Sequence, residues 1–172
     1  VSARREQLLD IAEALLEREG LESFGVNGLA REAGIRPPSL YKHFAGIAEI
    51  EHALIARCFR MLATVLDKAE RLQDFMVAYR GVARDHPQLY RLMTERPLDR
   101  ELLDRLDPGA EIAAMAALLR VFGENNEHHT MARVAWAAAH GLVSLENAGR
   151  FPPGADVDVA WSVLVETLEP GA

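Results

Sequence analysis

Apolar positions recur at three- and four-residue steps along most of the chain, and no stretch shows the two-residue alternation of a half-buried strand. Residues 4–19 carry Leu8, Ile11, Ala12 and Leu15 on one stripe and end at Gly20, with Phe24 placed to plug a small core. Val26, Leu29, Ala30 and Ala33 share the face of a second short helix, ended at Gly34, since glycine best takes the left-handed conformation that closes a helix. Pro37 and Pro38 suit the first turn of a third helix, where a missing amide donor costs little, and Leu40 and Phe44 point inward from it. A long helix over Ala48–Arg71 carries Ile50, Leu54, Cys58, Met61, Leu62 and Val65. Shorter helices follow at Asp74–Asp85, with Phe75, Ala78, Tyr79 and Val82 inward, and at Gln88–Glu95, with Leu89, Leu92 and Met93. Leu98–Leu106 and Ala110–Gly123 come next, with Pro97 and Pro108-Gly109 as breaks. A polar loop is expected over Glu124–Glu127, a long Ala-rich helix over Glu127–Arg150, and a last helix over Asp156–Leu168, beyond the breaker Phe151-Pro-Pro-Gly154. The expectation is an all-α fold of about nine helices, divided into residues 1–47 and 48–172.

Within the first division, residues 25–44 form two short helices joined by a tight glycine turn, the second showing polar and aromatic groups. That is the layout of a helix-turn-helix DNA reader. Arg36, Pro37, Pro38 and Ser39 lie nearest the N-terminus of the second helix, the part that reaches base edges in a major groove. Arg36 suits either a bidentate contact to guanine or a phosphate. Tyr41 and His43 can bond or pack against phosphate and Lys42 can supply charge, unless it is merely solvated. Arg4 and Arg5 open the first helix, where they could touch phosphate.

Charge narrows this reading. The formal net charge is −7, which argues against bulk affinity for nucleic acid. Residues 1–60 hold eight Lys/Arg and nine Asp/Glu, and residues 61–172 hold eleven and seventeen. The acidity sits mainly outside the proposed reader, yet the reader is not basic, so its phosphate contacts must come from a few placed cations and from helix N-termini. Nearly half the residues, 49%, are hydrophobic, enough for a substantial core. No run approaches the roughly 20 apolar residues that cross a bilayer, and no secretory n-region and h-region stands out. The single cysteine, Cys58, suits a reducing cytoplasm and a buried structural thiol.

The segment Ala30-Arg-Glu-Ala-Gly-Ile-Arg-Pro-Pro-Ser-Leu-Tyr-Lys-His-Phe44 is similar, without a gap, to the N-terminal signature of TetR-type transcriptional regulators: Ala-x-x-Ala-Gly followed by Leu-Tyr-x-His-Phe. Leu8–Leu16 and Gly20 match as well. The resemblance implies a three-helix N-terminal helix-turn-helix DNA-binding domain and a helical C-terminal domain for ligand binding and dimerisation. It implies a cytoplasmic homodimer that binds a palindromic double-stranded DNA operator, as a repressor released by a small-molecule effector of unknown identity. The chain departs from the pattern twice. Gly25 stands where a Ser or Thr usually caps the second helix, with Asn27 the nearest side chain to compensate, and Ile47 replaces a lysine that commonly binds phosphate. These departures keep open a second reading, a small-molecule-binding or protein-interaction helical module with weakened DNA binding.

Trp136-Ala-Ala-Ala-His-Gly141, with Leu145 and Glu146, further resembles the Trp-His-Gly type of TetR C-terminal domain. The family comparison implies an effector pocket, for which Phe75, Tyr79, His86, Tyr90, Met93, Met115, Phe122, Trp136 and His140 are candidates; an ordinary core uses the same residue types. It also implies a four-helix dimer interface. The last two helices are apolar on more than one face and need burial on two sides. The candidate interface residues are Ala135, Ala138, Leu142, Leu145, Val157, Ala160, Trp161, Leu164 and Leu168. His128-His129 invites a metal, but neighbouring helical residues diverge by about 100° and cannot easily face one ion. No cofactor or metal is expected. No Ser/His/Asp order, Gly-rich phosphate loop or paired-carboxylate motif suggests an enzyme.

Overall fold

The computed structural model describes residues 2–123 and 126–169, except for the side chains of Asn126 and His128. Ten helices appear among these residues where about nine were expected, and no strand. They are α1 (Ala3–Glu19), α2 (Val26–Glu32), α3 (Pro37–Leu40), α4 (Ile47–Leu66), α5 (Leu72–Asp85), α6 (Pro87–Glu95), α7 (Arg100–Leu106), α8 (Ala110–Phe122), α9 (Asn126–Asn147) and α10 (Val157–Leu168). Part of the polar loop expected over Glu124–Glu127, and the His128 side chain of the weighed metal pair, lie outside the described residues. Among the described residues no helix is long and apolar enough to cross a membrane, and no group of three or more His, Cys, Asp or Glu could hold a metal ion.

The chain forms two compact units. The first joins the residues up to Phe59 with His86–Ala110; the second joins Arg60–Asp85 with the residues from Glu111 onward. In the first unit α1 buries Leu8, Leu9, Ala12, Leu15 and Leu16, while Ile11 is only half-buried. The apolar stripe is thus turned toward Leu9 and Leu16 from the expected line. The 47/48 division differs from this partition, because α6 and α7 belong with the reader. The reason is a cap supplied from a distant helix. The N-cap residue of α6, His86, makes no side-chain cap bond. Glu17 of α1 instead accepts the amides of Gln88 at 3.2 Å and Leu89 at 2.7 Å, placing a carboxylate at the positive end of α6. Gln88 in turn accepts the amide of Leu21 at 3.1 Å.

His52 ties α4 to the α6–α7 connection in the same unit. Its Nδ1 lies 2.7 Å from the Ala48 carbonyl oxygen, and its Nε2 lies 2.9 Å from the Asp99 amide nitrogen. A carbonyl can only accept and an amide N–H can only donate, so this geometry assigns the neutral ring with its proton on Nδ1. Arg57 of α4 reaches three carboxylates on successive turns of α1: Glu6 at 2.7 Å, Asp10 at 2.8 Å and Glu13 at 3.1 Å. Burial works against the charged guanidinium, but the hydrogen bonds it donates to Glu6, Glu13 and Asp10 overcome it and raise the pKa. Cys58 is fully buried, and burial, aided by Glu13 and Glu17, pushes its thiol up to about 12.

In the second unit α9 packs against α5 and α10, and α10 also against α5. The helix α4 ends at Leu66 rather than Arg71, although nothing in 67–71 breaks a helix. Arg120 of α8 donates to the carbonyls of Leu66 at 3.3 Å and Asp67 at 3.0 Å, a cation at the negative end of the helix. Asp74 then accepts the Arg71 amide at 3.2 Å and starts α5. At the other end of the unit α9 stops at Asn147, short of Arg150, because Gly149 (φ 62°) closes it with Gly149 N–H to Glu146 O and Arg150 N–H to Leu145 O.

An arginine cluster holds the three packed helices together. Arg80 of α5 makes a two-point contact to Glu146 of α9, at 2.9 and 2.8 Å, and reaches Asp158 of α10 at 2.6 Å. Its guanidinium carbon lies 5.4 Å from the Trp161 ring centroid, and Trp161 Nε1 donates to Glu146 at 3.3 Å. These bonds set the Trp161 orientation and bury it within the unit. Trp161 and the fully buried Ala135, both expected at a dimer interface, are buried within one unit.

Candidate nucleic-acid interface

The reader begins with a helix that lacks a side-chain cap. Gly25 occupies the N-cap of α2 in an extended conformation (φ −176°, ψ 170°) and no side-chain oxygen bonds to the first turn. Asn27 is exposed and does not replace that cap. The turn after α2 is a full glycine closure: Gly34 has φ 65°, its amide donates to Arg31 O at 3.2 Å, and the Ile35 amide donates to Ala30 O at 3.0 Å. Nothing lies within 4 Å of where a Cβ would sit at Gly34. Backbone handedness, not space, is what requires glycine there.

Arg36 is the N-cap of α3, extended as the residue before a proline should be, and Pro37 and Pro38 take the first positions. As a regular helix α3 runs only to Leu40, shorter than the expected segment to Phe44. Beyond it His43 N–H and Phe44 N–H both turn back onto Leu40 O, at 2.9 and 3.0 Å. Leu40 and Phe44 are buried, together with Leu29 and Ala30 of α2. On the outer side Arg36, Pro38 and Lys42 are exposed, Tyr41 is 57% exposed, and Pro37, Ser39 and His43 are half-buried. A large aromatic ring left this open on a short helix whose other side is core has no packing role to explain it.

Ion pairing separates the cations of residues 2–59 into two sets. Arg18 pairs with Glu32 and Glu19, Arg57 with its three carboxylates, and Arg5 with Glu49 at 2.9 Å. Arg4 donates to Gln7 at 2.6 Å, a neutral partner. Arg31, Arg36 and Lys42 are exposed and pair with no carboxylate among the described residues. Sequence reasoning missed Arg31; its place in the last turn of α2, beside the glycine turn, is the signal that could have found it. Arg5, read from the sequence as open to phosphate, is instead turned inward, because its guanidinium bonds the His43 carbonyl as well as Glu49.

The other candidates fall in two places. Of the nine effector residues, His86, Tyr90 and Met93 belong to the first unit and the other six to the second. Tyr90 and Met93 are buried. Phe75 and Tyr79 are buried and stacked, with ring centroids 5.5 Å apart and 15° between planes. Phe122 is buried, Met115 half-buried, and Trp136 stacks on His140 at 6.2 Å with its ring partly exposed. Ser144 Oγ lies 3.4 Å from His140 Nδ1. On α9 Val134, Trp136, Ala137 and Leu145 are exposed and Ala138, Gly141 and Leu142 half-buried; Val134 and Leu145 are each 47% exposed. On α10 Val159 and Val163 are exposed, whereas Val157, Ala160, Leu164 and Leu168 are half-buried.

Comparison with known proteins gives a consistent result over both halves. Residues 8–54 match the family model of bacterial regulatory proteins, tetR family, and residues 72–168 match a tetracyclin repressor-like C-terminal domain, without specifying the Trp-His-Gly subtype. An uncharacterized HTH-type transcriptional regulator of Mycobacterium tuberculosis, Rv0681, is 32% identical over 177 residues, covering 97% of this chain and 80% of that protein. The HTH-type transcriptional repressor KstR2 of Mycobacterium tuberculosis is 33% identical over 98 residues, covering 52% of this chain and 49% of that protein. A solved structure of a protein of unknown function from Rhodococcus sp. RHA1 has a TM-score of 0.77 at 27% identity, over 99% of this chain and 96% of that one.

Proposed function

This chain belongs to the TetR family of bacterial transcriptional regulators, and we propose that it is a ligand-responsive repressor that binds a palindromic operator as a homodimer. The observation that carries the DNA reading is the outer side of the glycine-turn segment: Arg36, Tyr41 and Lys42 stand exposed over a buried Leu40/Phe44 base. Arg36, Pro37, Pro38 and Ser39 serve base edges at the α3 N-terminus. Tyr41, Lys42 and His43, with Arg4 and Asn27, serve the backbone. Two such readers reach successive major grooves when their centres lie roughly 34–36 Å apart. Repression, rather than activation, takes its support from the similarity to the repressor KstR2.

The outward apolar rows of α9 and α10 support a homodimer, since contiguous exposed apolar surface on a folded domain marks an interaction site. Val134, Ala138, Leu142 and Leu145 with Val157, Ala160, Leu164 and Leu168 remain as interface candidates, joined by Val159 and Val163. The effector role is assigned to the second unit's candidates, Phe75, Tyr79, Met115, Phe122, Trp136 and His140. An effector there lowers DNA affinity only by its differential binding to two states, and α4 is the element that would carry the difference, because it supplies residues to both units. The uncapped Gly25 and Ile47 favour one competing reading, a helical binding module whose DNA reader has weakened.

Fluorescence anisotropy with the duplex upstream of the protein's own operon tests the proposal. The expected result is sequence-preferring binding that weakens as salt rises, by a species of twice the monomer mass. Absence of any preference over a shuffled duplex refutes the DNA reading and leaves the binding module.

A further inference from the structure

We propose that Arg5, with Glu49 as its partner, is a positioning residue for the DNA-reading segment and does not itself contact phosphate. The proposal rests on the DNA-binding reading above. Arg5 lies in the opening turn of α1. The structure turns it inward. Its side chain is only 16% exposed and that of Glu49 only 20%. Its Nη1 donates to the His43 carbonyl at 2.6 Å and forms an ion pair with Glu49 Oε1 at 2.9 Å. The guanidinium carbon sits 4.3 Å from the centroid of the Phe44 ring, a cation–π placement. The second oxygen of Glu49 accepts the Ala45 amide at 2.6 Å.

One arginine–glutamate pair therefore joins three elements: the start of α1, the residues that leave α3, and the first turn of α4. His43, Phe44 and Ala45 are consecutive, and each is held by this pair through a different interaction. The need for such a clamp follows from the length of α3. A helix of four residues has almost no internal hydrogen bonding to stabilise it, so its direction depends on what holds its two ends. The Gly34 turn holds the entrance, and the Arg5–Glu49 pair holds the exit. Glu49 also places a carboxylate in the first turn of α4, where its charge and its bond to a preceding amide suit the helix N-terminus.

The test uses the whole 172-residue chain and two probes: the duplex that the unaltered protein enriches from a random-sequence pool, and a shuffled duplex of equal length. Affinities are measured by anisotropy over a salt series. Arg5→Ala is expected to weaken binding to the enriched duplex by about tenfold to a hundredfold, the worth of a charge-assisted hydrogen-bonded group. The shuffled duplex and the salt slope should hardly change. Glu49→Gln separates position from charge: removing a negative charge should tighten DNA binding if electrostatics alone matters, whereas a positioning role predicts weaker binding to the enriched duplex. Arg5→Lys, which keeps the charge but cannot serve two acceptors and a ring face in the same way, should behave like Arg5→Ala and covers the case where the alanine variant does not fold. The Arg5→Ala/Glu49→Gln pair should lose less than the two single losses combined. A slope smaller by about 0.9 per protomer for Arg5→Ala, with equal weakening on both duplexes, would make Arg5 a phosphate contact and overturn the proposal; so would tighter binding by Glu49→Gln. If no duplex is enriched, the DNA-binding reading itself falls, before any variant is compared.

Discussion

The division of the reader's cations into paired and unpaired sets leads to a quantitative expectation for salt dependence. Each phosphate neutralised on B-DNA contributes about 0.9 to the slope of log affinity against log salt. Among residues 2–59 only Arg4, Arg31, Arg36 and Lys42 lack a carboxylate partner. Four such groups give a slope magnitude of at most about 3.6 per protomer, or about 7 for two readers on one duplex. Arg18, Arg57 and Arg5 add nothing, because a cation already neutralised by its own protein releases no counterion unless that pair is first broken. The perturbation is one substitution at a time. Lys42→Ala should reduce the slope by about 0.9 per reader, while Arg18→Ala should leave it unchanged. Anisotropy titrations from low to moderate salt at constant pH measure both. A total slope well above about 7, or a fall on removing Arg18, would refute the reasoning, since it would mean that ion pairs seen here open on DNA.

Four other outcomes follow from the packing and the turn geometry. Arg80→Leu should destabilise the protein by about 1–2 kcal/mol in urea unfolding, because the half-buried Glu146 loses its two-point partner and keeps only Trp161 and Arg84, whereas Asp158→Asn, at a carboxylate 82% exposed, should cost under about 1 kcal/mol. The hydrogen bond from Arg80 holds the Glu146 carboxyl below its ordinary value, against a smaller opposing effect of burial. Its contribution is therefore complete above the ordinary glutamate range and is lost as pH falls through and below it, so Glu146→Gln should flatten the acid limb of a stability–pH curve. Cys58, buried with its thiol pushed up to about 12, should resist alkylation in the folded protein at neutral pH and react at once in denaturant. Gly34→Ala should cost about 1–2 kcal/mol of thermal stability from the positive φ alone, and a neutral effect in a melting experiment would contradict the turn geometry.

What the sequence by itself determined was everything that depends on neighbours a few residues apart. Periodicity, with Gly and Pro as breaks, placed the helices, although α3, α4 and α9 end earlier than expected. Gly34, with Pro37 and Pro38, marked the reader, because handedness at a turn and the lack of a proline donor are properties of single residues. The missing cap at Gly25 was legible for the same reason. The matched family confirms the class of molecule that those residues pointed to.

What only the tertiary structure decided depended on groups distant in the chain. Helix α4 stops at Leu66, where Arg120 donates to the carbonyls of Leu66 and Asp67, and α6 joins the reader's unit with its first amides bonded to Glu17. Ala135 and Trp161 lie on apolar stripes as good as their neighbours', yet they are core, since periodicity gives a face but not which of two partners that face meets. The same holds for charge. Arg5 and Lys42 are both cations of the reader in the sequence, and only the fold brings Glu49 and the His43 carbonyl to one of them. A pattern of residues can therefore show that a DNA reader is present, but the pairing of its charges, and with it which cations remain for phosphate, is settled by contacts across the fold.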